Sequence, residues 1–83
     1  MSCNANINRL AVVLGNERYS IKELMEKLSL KDRKNFLDLY LNPAMEEGFV
    51  RMLYPELPRH PRQRYLLTVK GKMVHSEIIM KEG

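Results

Sequence analysis

Arginines crowd into one short stretch of the chain, and their type and spacing suggest contact with phosphate. Arg59, Arg62 and Arg64 lie within six residues, and three prolines in seven positions stiffen the same stretch. A guanidinium group donates two parallel hydrogen bonds to a phosphate, and prolines reduce the entropy that a loop loses when a partner fixes it. We therefore expect these arginines and the neighbouring Gln63 to contact DNA phosphates or the minor groove. The alternative is a solvated loop whose arginines pack on their own hairpin.

A second polar set recurs at helical spacing nearer the N-terminus. Five residues would share one face of a helix, opposite its apolar positions: Lys31, Lys34, Asn35, Asp38 and Asn42. Asparagine can pair with adenine through two hydrogen bonds, whereas the carboxylate of Asp38 would repel phosphates and base acceptors. The sequence thus predicts a surface for double-stranded DNA, formed by Lys31, Lys34, Asn35, Asn42, Arg59, Arg62, Gln63 and Arg64.

No arrangement of residues suggests catalysis or a bound metal. No pair of carboxylates is spaced as a general acid and base would be. No serine or cysteine is accompanied by a histidine and an acidic residue in a pattern typical of a nucleophilic active site. His60 and His75 lack ligand partners nearby in sequence, and no glycine-rich loop is present to cradle a phosphate. We therefore expect a protein that is not an enzyme and has no catalytic residue, no metal and no cofactor.

Length and composition indicate one small intracellular domain. The 83 residues are 45% hydrophobic and 29% charged, which is typical of a globular protein. A single domain, 1–83, has room for one core and a surface groove. The only cysteine excludes an intramolecular disulfide, and no apolar run approaches the roughly 20 residues of a membrane span. Because the N-terminus does not resemble a secretory signal either, we expect a cytoplasmic protein without membrane contact.

The net charge of +4 is concentrated in one part of the chain. Residues 1–50 contain seven basic and seven acidic residues, whereas residues 51–83 contain seven basic and three acidic ones. A local excess of positive charge is a better indication of a polyanionic partner than a diffuse one. A solvated basic face without a partner is the alternative.

Two short helices are predicted in the first third of the chain. Asn4 or Asn6 can cap a first helix, which Gly15 ends. Ser20 and Glu23 fit a capping box, in which each side chain bonds the other residue's backbone N–H. A second helix with a single apolar stripe follows this box.

A third helix is predicted to begin near Lys31. Pro43 lacks a backbone N–H, so the helix should kink or break near Asn42, with a last turn that ends at Gly48. Two helices joined by so few residues form a helix-turn-helix. The third helix is therefore the candidate recognition helix.

The apolar spacing changes from helical to alternating at Phe49. Strands at 49–54 and 64–69 are predicted to flank residues 55–63, where prolines disfavour both helix and sheet. We call residues 55–63 the wing. A short last helix from Lys72 follows, with three residues turned inward: Met73, Val74 and Ile78.

This order of elements predicts an α+β fold, a winged helix-turn-helix made of a three-helix bundle, a β-hairpin wing and a short C-terminal helix. Over Ser20–Lys72 the chain resembles the winged-helix domain at the C-terminus of Fic-family, AMP-transferring proteins and of predicted, helicase-related transcriptional regulators. The matching residues are Glu23-Leu24, Lys31-Asp32, Phe36, Tyr40-Leu41-Asn42-Pro43-Ala44, Gly48, Pro55, Pro58, Gln63, Tyr65, Leu67-Thr68 and Gly71.

The resemblance covers the accessory domain and not the catalytic one. Arg-Gln-Arg follows His60-Pro61, in place of the phenylalanine and the Gly-Asn-Gly-Arg loop that hold nucleotide phosphates in Fic enzymes. His60 itself stands where the family often has serine. The resemblance therefore implies the accessory domain without the catalysis. With the basic wing and the polar face of the third helix, we expect a DNA-binding transcriptional regulator or the DNA-binding accessory domain of a larger protein. The alternative is a protein-interaction or dimerisation module that does not bind DNA.

The first and last helices carry more apolar residues than one core can bury. Leu10–Leu14 is an unbroken apolar run, and the last helix contains Ile79 and Met80 beyond its inward residues. We expect Val12 or Val13, and Ile79 or Met80, to face outward on two adjacent helices. The simplest consequence is a homodimer through the first and last helices; packing on a missing domain of a longer chain is the alternative.

Overall fold

The first helix begins and ends where its sequence signals predict. The structure, a computed structural model, describes residues 4–82 and the side chains of residues 4–80; Met1–Cys3 and Gly83 lie outside this range. Helix α1 spans Ala5–Leu14, and the Asn4 side chain caps it by accepting hydrogen bonds from two backbone N–H groups. Gly15 ends it with a positive φ of 52°, which glycine adopts without steric cost.

The capping box predicted for the second helix is present in full. Helix α2 spans Ile21–Lys27; the Ser20 hydroxyl accepts a bond from the Glu23 N–H, and the Glu23 carboxylate accepts one from the Ser20 N–H. Just before it, Tyr19 is extended and pairs with Tyr65 through two backbone hydrogen bonds of 3.1 and 2.8 Å. The connection between α1 and α2 is thereby joined to the hairpin.

The third helix consists of three parts: α3 (Arg33–Phe36), a π-helical turn (Leu37–Leu41) and α4 (Asn42–Glu46). It begins at Arg33 because the Asp32 side chain accepts a hydrogen bond from the Asn35 N–H and acts as the N-cap. The prediction that the helix begins near Lys31 is therefore wrong by two residues. Lys31 is exposed in the turn that precedes the helix.

Pro43 alters the hydrogen bonds of the third helix but does not break it, because residues 33–46 remain helical throughout. The predicted break near Asn42 is therefore replaced by a π-helical turn. Pro43 has no N–H to donate to the Leu39 carbonyl, four residues earlier. The Asn6 side-chain amide donates to that carbonyl instead, at 3.2 Å. The π-turn just before Pro43 closes with a bond from the Asn42 N–H to the Leu37 carbonyl, five residues back.

The π-turn also changes which residues share a helix face. It contains one residue more than an α-turn, and therefore rotates all later residues by roughly 100°. Asn42 is thus turned away from Asn35, with which the α-helical spacing grouped it. Asn42 lies instead on the same side of the helix as Lys34. In an α-helix two residues seven positions apart are about two turns apart and share a face, and the extra residue of the π-turn makes this separation eight.

Strands β1 (Val50–Met52) and β2 (Tyr65–Leu67) form an antiparallel pair on either side of the wing. Helix α5 then spans Val69–Glu82, so the last helix begins three residues earlier than predicted and is not short. Thr68 caps its start, because the Thr68 hydroxyl accepts a hydrogen bond of 3.1 Å from the Gly71 N–H. At Gly71 the helix packs so closely on the hairpin that any Cβ would collide with the carbonyl oxygen of Phe49. The prediction that Met73 faces inward is wrong: its side chain is 63% exposed.

One apolar core joins the helices to the hairpin. Helices α1 and α5 lie side by side, and α1 also contacts α2 and the third helix. The element order and the paired hairpin make this a winged helix, as the sequence predicted. The largest fully buried side chains are Ile7, Leu10, Leu14, Leu24, Phe36 and Leu41.

Candidate nucleic-acid interface

The wing is built from three successive β-turns with one proline in each. Backbone hydrogen bonds of 3.1, 2.9 and 2.9 Å link Tyr54 to Leu57, Leu57 to His60, and His60 to Gln63. Each proline occupies the second position of its turn, where its fixed φ is already suitable. A three-residue sequence period therefore produces a loop that is ordered without being helix or strand. The third position of each turn carries a charged side chain: Glu56, Arg59 and Arg62.

Gln63 holds the wing together through its side-chain amide. Its Oε1 accepts hydrogen bonds from the N–H groups of Tyr54 (2.9 Å) and Arg64 (3.2 Å). Its Nε2 lies 2.8, 3.1 and 3.4 Å from the carbonyl oxygens of Tyr54, Leu57 and Pro58. Both ends of the amide are thus occupied inside the wing. Gln63, predicted as a DNA contact, is placed to hold the loop that carries the arginines.

His60 takes part in the same local structure. Its ring stacks on Tyr54 with centroids 4.2 Å apart. Its Nδ1 accepts a hydrogen bond of 2.9 Å from the Arg62 N–H. The imidazole therefore fixes the backbone from which the Arg62 side chain projects.

Arg64 connects the base of the wing to α2. Its Nη1 lies 2.9 Å from the Glu23 carboxylate and 3.3 Å from the Arg18 carbonyl. The pKa of Glu23 is lowered, chiefly by the hydrogen bond from the Ser20 N–H; partial desolvation opposes this, and the Ser20 hydroxyl, Arg64 and Lys27 add to it. Arg64 is therefore ion-paired with an acidic residue of the same molecule, which distinguishes it from Arg59 and Arg62 on the wing.

A groove of about 460 Å³ runs between the wing and the helix-turn-helix. Three basic residues from three different elements line it: Lys22 on α2, Arg33 on α3 and Arg59 on the wing. None of them forms an ion pair within the described part of the chain. The lining contains no acidic residue; its other members are Ser20, Ile21, Pro58, His60, Gln63 and Tyr65. We call this surface the basic groove.

Tyr65 lies at the inner side of the basic groove. Burial raises the pKa of its phenol, and the positive charge of Arg33 counteracts part of that rise. The phenol therefore stays protonated at neutral pH and adds no negative charge to the groove.

Four of the remaining predicted DNA contacts lie on or beside the exposed side of the third helix. Lys34 and Asn42 fall on one line along it, Asn35 lies to the side, and Lys31 precedes it; all four are exposed. Asp38, which sequence analysis weighed against DNA binding, is also exposed. Arg62 projects from the last turn of the wing. The structure thus places the predicted cations on the helix-turn-helix and the wing, with Arg59 alone among them in the groove.

Sequence analysis missed Lys22 and Arg33. Neither residue belongs to the polar face of the third helix or to the wing, from which the DNA contacts were predicted. They join the site because the wing folds back over the starts of α2 and α3. Helical spacing alone gives no indication of that approach. The signal in the sequence that could have indicated this approach is the recurrence of proline at every third position of the wing. Such a spacing indicates an ordered loop, which can pack against neighbouring elements.

The described residues contain neither a membrane-spanning helix nor a cluster of metal ligands. Within 4–82, no helix has the length and apolar character needed to cross a membrane. The same residues contain no group of three or more His, Cys, Asp and Glu side chains that could hold a metal ion.

Comparison with known proteins gives the same family from sequence and from structure. The model of the family described as "Filamentation induced by cAMP protein Fic-like, C-terminal domain" matches residues 5–68. The fold is similar to the crystal structure of a Fic family protein from Desulfovibrio desulfuricans G20, with a TM-score of 0.67 and 38% identity. That match covers 84% of this chain and 21% of the other, so the chain spans about a fifth of that protein's length. No curated protein matches the chain.

Proposed function

Because the chain belongs to the family of Fic-like C-terminal domains, we propose that it is a DNA-binding winged-helix domain. It serves as a transcriptional regulator or as the DNA-binding accessory domain of a larger protein. Its partner is double-stranded DNA. The proposal gives the domain no catalytic residue and no cofactor, and assigns any AMP transfer to the parts of Fic proteins outside this domain. A cytoplasmic location, as expected from sequence, gives it access to DNA.

The basic groove is the observation that supports this proposal. Lys22, Arg33 and Arg59 come from three elements, and lie together without an acidic residue in the lining. Like charges are unfavourable beside one another unless an anion compensates them. A DNA phosphate supplies that negative charge, and the two arginines can each donate two hydrogen bonds to it.

The wing is suited to bind the backbone with little loss of entropy. Its turns are already closed, its prolines fix φ, and Gln63 occupies the backbone groups that would otherwise need water. Arg59 and Arg62 are therefore presented from an ordered loop rather than from a mobile one. Preorganisation of this kind lowers the cost of binding.

The third helix supplies the contacts that could distinguish sequences. In winged and other helix-turn-helix proteins the recognition helix enters the major groove by its N-terminal part. In this chain that part presents Lys31, Lys34 and Asn35, with Asn42 about two turns beyond Lys34. Lysine binds phosphate, and asparagine can pair with adenine. Asp38 disfavours phosphate at the middle of the helix and so directs backbone contacts to its ends.

Salt dependence is the experiment that tests the proposal. We expect fluorescence anisotropy with a labelled random-sequence duplex to show binding that weakens on the order of a hundredfold between 50 and 200 mM salt, if about four phosphates are neutralised. The substitution Lys22→Ala, Arg33→Ala and Arg59→Ala together should make the slope of log K against log salt shallower by about 0.9 for each phosphate that is no longer neutralised.

Arg51→Ala is the matched control, since Arg51 is an exposed arginine on β1 outside the groove. It should leave the slope nearly unchanged. No binding at 50 mM salt would contradict the proposed function. Equal slopes for the wild type and the triple variant would exclude the basic groove as the contact.

A protein-interaction module without DNA binding is the second candidate. The observation in its favour is the exposed apolar surface of α5, where Val69, Met73 and Met80 face outward. A salt-independent association of the chain with itself or another protein, together with no affinity for duplex DNA, would favour this candidate.

A further inference from the structure

Helix α5 has two apolar faces, and the domain covers one of them. The inner face, with Gly71 and Val74, packs on the core. The outer face carries three large apolar side chains that are 78%, 63% and 79% exposed: Val69, Met73 and Met80. A single small domain has no second core to bury this outer face.

The outer residues follow the spacing of a coiled-coil seam. Val69, Met73, Ser76 and Met80 are four, three and four residues apart, which corresponds to successive d, a, d and a positions of the heptad. The core-packed residues Gly71 and Val74 fall at f and b on the opposite side. The seam and the core therefore use different faces of the same helix.

Charges beside the seam indicate its partner and its direction. Lys72 occupies a g position and Glu77 the e position five residues later. In a parallel pair of identical helices, g of one chain lies beside the following e of the other. Lys72 of each copy then meets Glu77 of the other copy, twice per dimer. An antiparallel pair brings e beside e, so Glu77 would meet Lys70, the other e position. The Lys70 ammonium already donates to the Glu47 carbonyl at 2.8 Å and lies over the Phe49 ring, so the parallel pair is the one that leaves these contacts intact.

We infer that the outer face of α5 is a dimerisation surface, on which α5 of a second copy packs in parallel around a two-fold axis along the helices. The partner is the one that the sequence predicted, but the seam lies along α5 alone. Val12 is exposed on α1 as expected, whereas Val13 is half-buried against the core. Ile79, which is also exposed, stands at a g position and would border the seam. The inference does not depend on DNA binding.

Sedimentation equilibrium of the full chain at 10–500 µM, a range of about fiftyfold, tests the surface. We expect the mass of two chains at the upper concentrations, and of one chain for Met73→Glu, with a dissociation constant raised at least about a hundredfold because a charge enters the apolar seam. Leu57→Glu is the matched control: Leu57 is 59% exposed on the wing, and its replacement should not change the mass. A monomer throughout, or a dimer that Met73→Glu leaves intact, would overturn the inference.

Charge exchange tests the direction of the helices independently of folding. Lys72→Glu alone and Glu77→Lys alone should each weaken the dimer by about tenfold, because two symmetry-related attractions become repulsions. The double variant with both changes should return to within about twofold of the wild type. Failure of the double variant to recover would contradict the parallel arrangement.

Cross-linking gives a second readout of direction. In a Cys3→Ser background, Met73→Cys and Met80→Cys are examined separately under mild oxidation. A parallel seam places each residue opposite its own copy, so both variants should form a disulfide dimer. An antiparallel seam can satisfy that geometry only near its centre. A disulfide in one variant and not in the other would therefore overturn the parallel arrangement.

Discussion

The wing and the third helix both contain proline, and proline has opposite effects in them. In the wing, three prolines occupy turn positions whose φ they already match, and each turn keeps its hydrogen bond. In the third helix, Pro43 removes a donor, and a π-turn with an external bond from Asn6 accompanies it. Proline therefore orders the wing, whereas in the third helix it accompanies a π-turn that changes which later side chains share a face. Its effect depends on whether the local backbone needs the N–H.

The two regions are also held in place by different forces. The third helix buries Phe36, Tyr40, Leu41 and Ala44 in the core. The wing buries no side chain, and depends on backbone turns and the amide of Gln63. Stability should therefore reside in the helix and surface chemistry in the wing. The following predictions test this separation, from the largest expected effect to the smallest.

Phe36→Ala should destabilise the protein most. Phe36 is fully buried and stacks on Tyr40 with ring centroids 5.9 Å apart. Its truncation leaves a cavity in the core and should lower the free energy of unfolding by about 3–5 kcal/mol. Urea denaturation followed by circular dichroism measures this. Leu57→Ala in the wing is the control and should change stability by less than about 0.5 kcal/mol; comparable losses in both variants would contradict the separation.

Gln63→Ala should disrupt the wing while the core remains folded. It removes the side chain that bonds the Tyr54 and Arg64 N–H groups. Because these bonds are exposed, we expect a loss of only about 1–2 kcal/mol in unfolding free energy. Hydrogen exchange of the two amides should accelerate, whereas exchange in α1 should not.

Gln63→Glu is the matched variant for this prediction. It keeps an acceptor oxygen for both N–H groups but puts a carboxylate oxygen in place of Nε2, opposite the carbonyl oxygens of the wing. Acceptors then face acceptors, so this variant should destabilise the wing at least as much as Gln63→Ala. Unchanged exchange of the Tyr54 and Arg64 amides in Gln63→Ala would show that the prolines alone hold the wing.

Asn6→Ala should cost about 1 kcal/mol, since it leaves the Leu39 carbonyl without its donor. In a Pro43→Ala background the cost should nearly vanish, because the restored N–H can donate to the same carbonyl. Thermal unfolding of the two single variants and the double variant measures this coupling. Equal costs in both backgrounds would mean that core packing, rather than proline, maintains the π-turn.

Acid should weaken the junction between α2 and the wing. The pKa of Glu23 lies below its ordinary value of 4.5 in the folded protein. Its carboxylate therefore stabilises the fold above about pH 4.5, and this contribution is lost as the pH falls through the lowered pKa. Glu23→Gln should reduce the urea midpoint at pH 7 and have less effect at pH 3. Glu26→Gln, an exposed carboxylate of the same helix, is the control and should show no such difference.

Local signals predicted the elements well wherever a short-range physical rule applied. The capping box at Ser20 and Glu23, the glycine ends at Gly15 and Gly48, and the wing limits all agree with the structure. These features involve residues within a few positions of one another. One error occurred where distant residues interact: Met73 was assigned to the wrong face of α5. The other was local, since the third helix begins after Asp32 rather than near Lys31 because Asp32 caps it through Asn35, three residues later.

The candidate site was predicted only in part, for the same reason. Arg59 lines the basic groove, whereas Arg64 is paired with Glu23 and Gln63 is occupied inside the wing. A composition count cannot separate these cases, because it does not show which side chains find partners within the chain. DNA contact by the remaining predicted residues stays a prediction that the salt titration tests.

The sequence by itself determined the element order, the turn chemistry of the wing and the family, because these depend on local spacing and residue type. Only the tertiary structure determined which basic side chains lie together in the groove. The wing folds against the starts of α2 and α3 and brings Arg59 to Lys22 and Arg33. It also decided which face of α5 is covered, since the approach of Gly71 to the Phe49 carbonyl sets the rotation of that helix. Both outcomes depend on packing between elements far apart in sequence, which periodicity does not encode.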